Sequence, residues 1–253
     1  MAASPGGAAR DFPPARERVI VALDVPDHAG LLAFLDRLDG APVLYKVGLE
    51  LFVAEGERAV EAVKKRGGRV FLDLKLHDIP ETVARAVASA CRVGVDFLTV
   101  HTSGGYEMLS RAAAAAAATM TVATPPLKVL GVTVLTSLLP DDLRADGIEV
   151  SIPETVRARA RVAARAGIAG LVCSPHEIAH ARGADPRLLI VVPGVRPAGA
   201  APGDQKRVAT PGETARNGAD YLVVGRPIRD APDPAAAFAS IVAEVESAAR
   251  RGP

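Results

Sequence analysis

Apolar residues in this chain come in short runs, each closed by polar or turn-forming residues and followed by a segment of helical character. The runs are Arg18–Asp24, Pro42–Gly48, Val70–His77, Val95–His101, Leu127–Leu135, Gly170–Ser174, Leu188–Pro193 and Tyr221–Gly225. Between them the sequence predicts helices. Asp27 caps one that runs to about Leu38, and Glu50 to Arg66 forms another, ended by Gly67-Gly68. Glu81 to Ala90 follows Pro80, a residue suited to a first helical turn. The alanine run Ala112 to Ala118 reads as helix because alanine is the best helix former. Asp141–Asp146, Pro153–Ala166, His176–Arg182 and Pro234–Arg250 complete the set. Continuous Val/Ile/Leu runs suit parallel strands covered on both sides. Eight such runs alternating with helices in 253 residues predict an α/β fold, a single-domain (β/α)8 TIM barrel over residues 18–253. A doubly wound open sheet is the alternative, but no Gly-x-Gly-x-x-Gly follows the first strand. Residues 1–17 are rich in Gly, Ala and Pro and lack periodicity, which predicts a mobile tail.

One stretch gathers charge where a buried strand should have none. In Val70–His77, Val70, Leu72, Leu74 and Leu76 alternate with Phe71, Asp73, Lys75 and His77. Strand side chains alternate faces, so Leu72 and Leu74 pack under helices while Asp73 and Lys75 share the opposite face. Asp78 stands where the strand ends, and Ile79-Pro80 stops the pairing. Ionised groups are costly to bury unless paired. The cluster is therefore either a structural ion pair closing a barrel end or a proton-handling site.

A barrel carries its site at the C-terminal ends of its strands. Asp24, Lys46, Asp73, Lys75, His101, Thr136 and Ser137 all fall there. Taken singly, Asp24 can cap a helix, Lys46 can bridge to Asp73, and Thr136 and Ser137 can satisfy a turn. His101 has no evident metal partner and reads best as a satisfied core histidine. The last two loops read as a phosphate site, the alternative being a flexible loop with ordinary surface arginines. Pro193-Gly194-Val195-Arg196-Pro197 opens one, which also holds Gly203-Asp204-Gln205-Lys206-Arg207, and Gly225-Arg226-Pro227-Ile228 forms the other. Glycine lets backbone N–H groups approach an anion, and arginine adds a forked donor. The Gly, Ala and Pro residues from Ala198 to Gly203 predict a lid that orders on binding.

Composition narrows the classes. A formal net charge of +1 gives no broad case for nucleic acid. Cys91 and Cys173 are too far apart for a metal or redox motif and read as free thiols in a reducing compartment. No apolar run approaches the ~20 residues of a membrane span. The N-terminus lacks the apolar centre of a signal peptide. A cytoplasmic protein with no membrane partner is expected.

The full constellation resembles the orotidine 5′-phosphate decarboxylase family. The matching motifs are Ala22-Leu23-Asp24, Tyr45-Lys46-Val47-Gly48, Asp73-Leu74-Lys75-Leu76-His77-Asp78-Ile79-Pro80, Leu135-Thr136-Ser137, Pro193-Gly194-Val195-Arg196-Pro197, Asp204-Gln205 and Val224-Gly225-Arg226-Pro227-Ile228. They occur in family order. The resemblance implies a homodimer that acts on orotidine 5′-phosphate, releases UMP and uses no metal or organic cofactor. It implies that Lys75 is the proton donor, that Asp73 sits near the departing carboxylate, and that Asp24 and Lys46 hold ribose hydroxyls. Asp78, Ile79 and Thr82 would complete the neighbouring subunit's site. Ser137 and Gln205 would contact the pyrimidine, with Thr136 beside them. Gln205, Arg226 and the Gly225 backbone would hold the phosphate, with Pro193 and Arg196 on the same rim. Two other readings fit part of the pattern. A metal-dependent decarboxylase of keto-sugar phosphates shares Asp-x-Lys-x-x-Asp but leaves Leu-Thr-Ser and Gln205 unexplained. A nucleotide-binding barrel without activity would bind UMP and turn nothing over.

Overall fold

The computed structural model describes residues 12–119, 126–198 and 208–250. Eight parallel strands close a barrel in chain order: β1 (Val19–Ala22), β2 (Leu44–Gly48), β3 (Arg69–Leu76), β4 (Phe97–His101), β5 (Lys128–Val132), β6 (Gly170–Val172), β7 (Leu189–Val192) and β8 (Tyr221–Val224). Helices cover the outside. The closed barrel follows from side-chain parity. Val19, Val21, Val47, Leu72 and Leu98 point outward into the layer under the helices. Ile20, Ala22, Leu44, Phe71, Phe97, Val191 and Tyr221 point inward. At the base of the interior Phe97 meets Phe71 and Tyr221 edge to face, with centroids 6.1 and 5.3 Å apart. This aromatic plug fills the lower interior. Two residues further up the same inward rows stand Asp24, Lys46, Asp73 and Thr99.

Several boundaries differ from the sequence expectation. The first strand begins at Val19, because Ala15–Arg18 is a helical turn. Its Arg18 is buried and donates from Nη2 to the Ala219 carbonyl at 2.7 Å, while Phe12 lies against the guanidinium. The end of the expected tail thus seals the barrel base; the rest of that expectation, residues 1–11, lies outside the described residues. The expected helix over residues 50–66 is two helices, Leu49–Glu55 and Glu57–Lys64. Gly56 separates them at φ 56°, ψ −137°, a conformation open to glycine and strained for other residues. The alanine run is the second half of Gly105–Ala118, and Pro80–Val93 continues past Ala90 to a left-handed Gly94. β5 ends at Val132, so Thr133–Ser137 form its exit loop. Short helices at Pro211–Arg216 and Arg226–Arg229 were not expected.

Candidate active site

Four charged side chains alternate in sign across the mouths of β1, β2 and β3. Lys46 Nζ lies 3.0 Å from Asp24 Oδ1 and 3.9 Å from Asp73 Oδ2. Lys75 Nζ lies 2.9 Å from the same Asp73 oxygen. The Asp73 and Lys46 side chains are only 13% and 12% exposed. A carboxylate so enclosed is stable because two ammonium groups face it, and loss of either leaves charge uncompensated. Gly48 makes room for the array. A Cβ there would stand 2.8 Å from Lys46 Nζ and 3.5 Å from Asp24 Oδ1.

Lys75 reaches this position through a break in the sheet. β3 and β4 pair regularly at Phe71↔Phe97 and Leu72↔Leu98, then resume at Leu76↔Val100. Asp73, Leu74 and Lys75 therefore stand opposite Thr99 alone, which is a bulge. Lys75 adopts φ 51°, in the left-handed region that non-glycine residues avoid. Such a conformation costs about 1–3 kcal/mol and persists only where its surroundings enforce it.

The array forms one wall of a cavity of about 520 Å³. Thr136 and Ser137 from the β5 exit loop line another part, with Cys173 at the end of β6. Pro193, Gly194 and Arg196 after β7 and Gly225 and Arg226 after β8 complete the lining, and because β8 pairs with β1, Gly225 stands beside Asp24. Gly194 has φ 76°, so the β7 exit turns sharply there. Val195 pairs with Ala209, and Arg196 N–H donates to the Ala209 carbonyl at 3.0 Å. These contacts hold the two ends of the long loop together. The resulting wall combines arginines and glycines, a composition suited to a phosphate dianion. Gln205 and most of the expected lid lie within residues 199–207, outside the described residues.

The cavity thus gathers Asp24, Lys46, Asp73, Lys75, Thr136, Ser137, Pro193, Arg196, Gly225 and Arg226. It does not gather Asp78, Ile79 or Thr82. Those three are exposed beyond the end of β3, and Asp78 Oδ1 accepts the Ile79 N–H at 2.7 Å. Arg229 also lines the cavity, although nothing in the sequence singled it out. Its Nη1 donates to the Asp24 carbonyl at 2.9 Å and its Nε to Asp230 Oδ1 at 2.6 Å. The available signal was its spacing, three residues after Arg226 on a short helix. Among the described residues no group of three His, Cys, Asp or Glu side chains is placed to hold a metal ion. Nor is any helix there long and apolar enough to cross a membrane.

A closed parallel barrel whose strand mouths carry a carboxylate–ammonium array and an arginine–glycine wall around one cavity has the layout of a (β/α)8-barrel enzyme. Residues 17–241 match the model of the "Orotidine 5′-phosphate decarboxylase / HUMPS family". The chain belongs to this family. It is 52% identical over 235 residues to an orotidine 5′-phosphate decarboxylase of Moorella thermoacetica, covering 92% of this chain and 93% of that one. It is 53% identical over 228 residues to one from Anaeromyxobacter sp. (strain K), covering 90% and 97%. The crystal structure of orotidine 5′-phosphate decarboxylase from Lactobacillus acidophilus superposes with a TM-score of 0.80 at 36% identity, covering 93% of this chain and 99% of that one.

His101 sits at the end of β4, outside the cavity lining. Its ring stacks on His77 with centroids 5.5 Å apart, and its Nδ1 lies 3.0 Å from Ser103 Oγ. Burial, then the neighbouring His77, Arg159 and Lys75, push its pKa from 6.5 down to about 4. The folded protein therefore holds a neutral imidazole where the unfolded chain would take up a proton. Stability from this site is full above pH 6.5 and is lost as pH falls toward about 4. Replacing His101 with Gln is expected to flatten that acid arm in unfolding titrations read by circular dichroism. An equal slope in the variant would contradict this.

Proposed function

We propose that the charged array carries out the decarboxylation of orotidine 5′-phosphate to UMP, with Lys75 as proton donor. The reaction is that of the family: the chain is a carboxy-lyase of pyrimidine biosynthesis. The observation that carries the residue assignment is the Lys75–Asp73 pair, fixed at 2.9 Å in the lining of the cavity that Arg196 and Arg226 also line. Breaking the C6–carboxylate bond leaves an electron pair on C6, in an orbital the pyrimidine π-system delocalises poorly. A fixed ammonium beside C6 stabilises that pair as it forms and then delivers its proton to it. CO2 departs, and Lys75 recovers a proton from water. Asp73 repels a carboxylate bound beside it and so favours its release. Each 1.36 kcal/mol of selective stabilisation is worth about tenfold in rate.

The remaining residues orient the substrate. Asp24 and Lys46 take ribose hydroxyls, and Thr136 and Ser137 take the pyrimidine edge, together with Gln205. Arg226 and the Gly225 backbone take the phosphate, again with Gln205, while Pro193 and Arg196 line the same part of the cavity. Binding energy from the remote phosphate can hold the reacting end in place. No metal or organic cofactor enters this scheme. Cys91 and Cys173 are not joined in a disulfide, which fits a reducing compartment and supports a cytoplasmic location.

Asp78, Ile79 and Thr82 gain a role if the protein is a homodimer. They project beside one barrel mouth, with Ile79 67% exposed, and would enter the partner's cavity across a twofold interface. Lys75→Ala is expected to remove turnover, followed as loss of ultraviolet absorbance, while the far-ultraviolet circular dichroism stays native. Near-normal turnover would overturn the proton-donor assignment. Mixing that variant with an inactive Asp78→Ala variant and allowing subunits to exchange tests the shared site. Random pairing in a twofold dimer leaves about a quarter of the sites with both residues intact. Activity regained to that level supports sharing, and none regained contradicts it.

A further inference from the structure

We propose that Thr99 is a positioning residue for the reaction, its hydroxyl fixing Asp73 and the backbone of Lys75 together. The proposal rests on the roles given above to those two residues. Thr99 lies on the inward row of β4, above Phe97, and is 0% exposed. Its own strand is regular on the far side, where it pairs with Leu130 of β5. On the near side the ladder is broken, and Thr99 alone faces Asp73, Leu74 and Lys75. The hydroxyl compensates for the break. It accepts the Lys75 backbone N–H at 2.8 Å and donates to Asp73 Oδ1 at 2.9 Å. A hydroxyl can do both at once, because it has one proton to give and lone pairs to accept with.

The two bonds act on different parts of the pair. The first satisfies a backbone donor at the residue held at φ 51°. The second occupies one carboxylate oxygen, so that the other, Oδ2, is turned toward Lys75 Nζ at 2.9 Å and Lys46 Nζ at 3.9 Å. Valine has the same branched shape and neither bond. Thr99→Val should therefore keep the packing, leave a part-buried N–H and carboxylate oxygen unmatched, and let the ammonium drift from its position. Misplacement of a reacting group lowers the chemical step more than binding at the distant phosphate.

The test compares Thr99→Val, Thr99→Ala and Thr99→Ser with Lys75→Ala in orotidine 5′-phosphate turnover. Turnover is expressed per UMP-binding site counted by calorimetry, so unfolded protein does not enter. Removing the hydroxyl is expected to lower kcat about ten- to hundredfold, the range for buried groups left unpaired. UMP affinity should stay within about threefold, because its phosphate contacts are untouched. Thr99→Ser restores the hydroxyl and should recover most of kcat. Thr99→Ala serves if the valine variant does not fold. Wild-type kcat per site in the hydroxyl-free variants, beside an inactive Lys75→Ala, would overturn the proposal alone. Equal losses in the serine and alanine variants would also overturn it, because packing would then explain the effect. Activity retained by Lys75→Ala would instead overturn the reading on which the proposal rests.

Discussion

The site depends on one carboxylate. Asp73 is largely enclosed, and ammonium groups from Lys46 and Lys75 face it. In that setting the carboxylate and the lysines stabilise one another, and removing any one exposes the rest to an uncompensated charge. In the proposed reaction the same arrangement prepares the chemistry. A cation held beside the substrate before reaction needs little reorganisation when charge develops at carbon. The fold and the proposed reaction therefore make the same demand on this cluster: charges fixed at short range around one enclosed carboxylate.

The barrel meets that demand through parity. Inward rows begin with large apolar side chains at the base, where Phe71, Phe97 and Tyr221 fill the interior. Two residues higher they carry Asp24, Lys46, Asp73 and Thr99. Packing below holds the strands rigid, so the polar tier above inherits their spacing. The exception is the β3 bulge, which places Asp73, Leu74 and Lys75 opposite a single residue of β4. A local break in an otherwise regular sheet is how side chains are often re-aimed beside sites. Here it seats the lysine at the cost of a left-handed backbone.

Much of this was legible in the sequence. Eight apolar runs at βα spacing gave the barrel, and polar residues at their ends gave most of the cavity wall. The alternation in Val70–His77 correctly sorted Leu72 outward and Asp73 inward. The bulge was hidden, because the same alternation continues through Lys75 and a register slip leaves no mark on it. Thr99 was hidden for a related reason: a β-branched residue in Phe97–His101 looks like any other strand residue. Arg229 was not singled out, since its contact with Asp24 spans most of the chain. The break at Gly56 was missed because apolar periodicity runs through it.

The central claim is that these charges accomplish decarboxylation from this chain's own residues. The direct measurement is the rate of orotidine 5′-phosphate conversion to UMP, followed by ultraviolet absorbance, before and after exhaustive treatment of the protein with EDTA. The account predicts the same rapid conversion in both. Activity lost to EDTA and restored by magnesium would contradict it and move the chemistry to a metal centre.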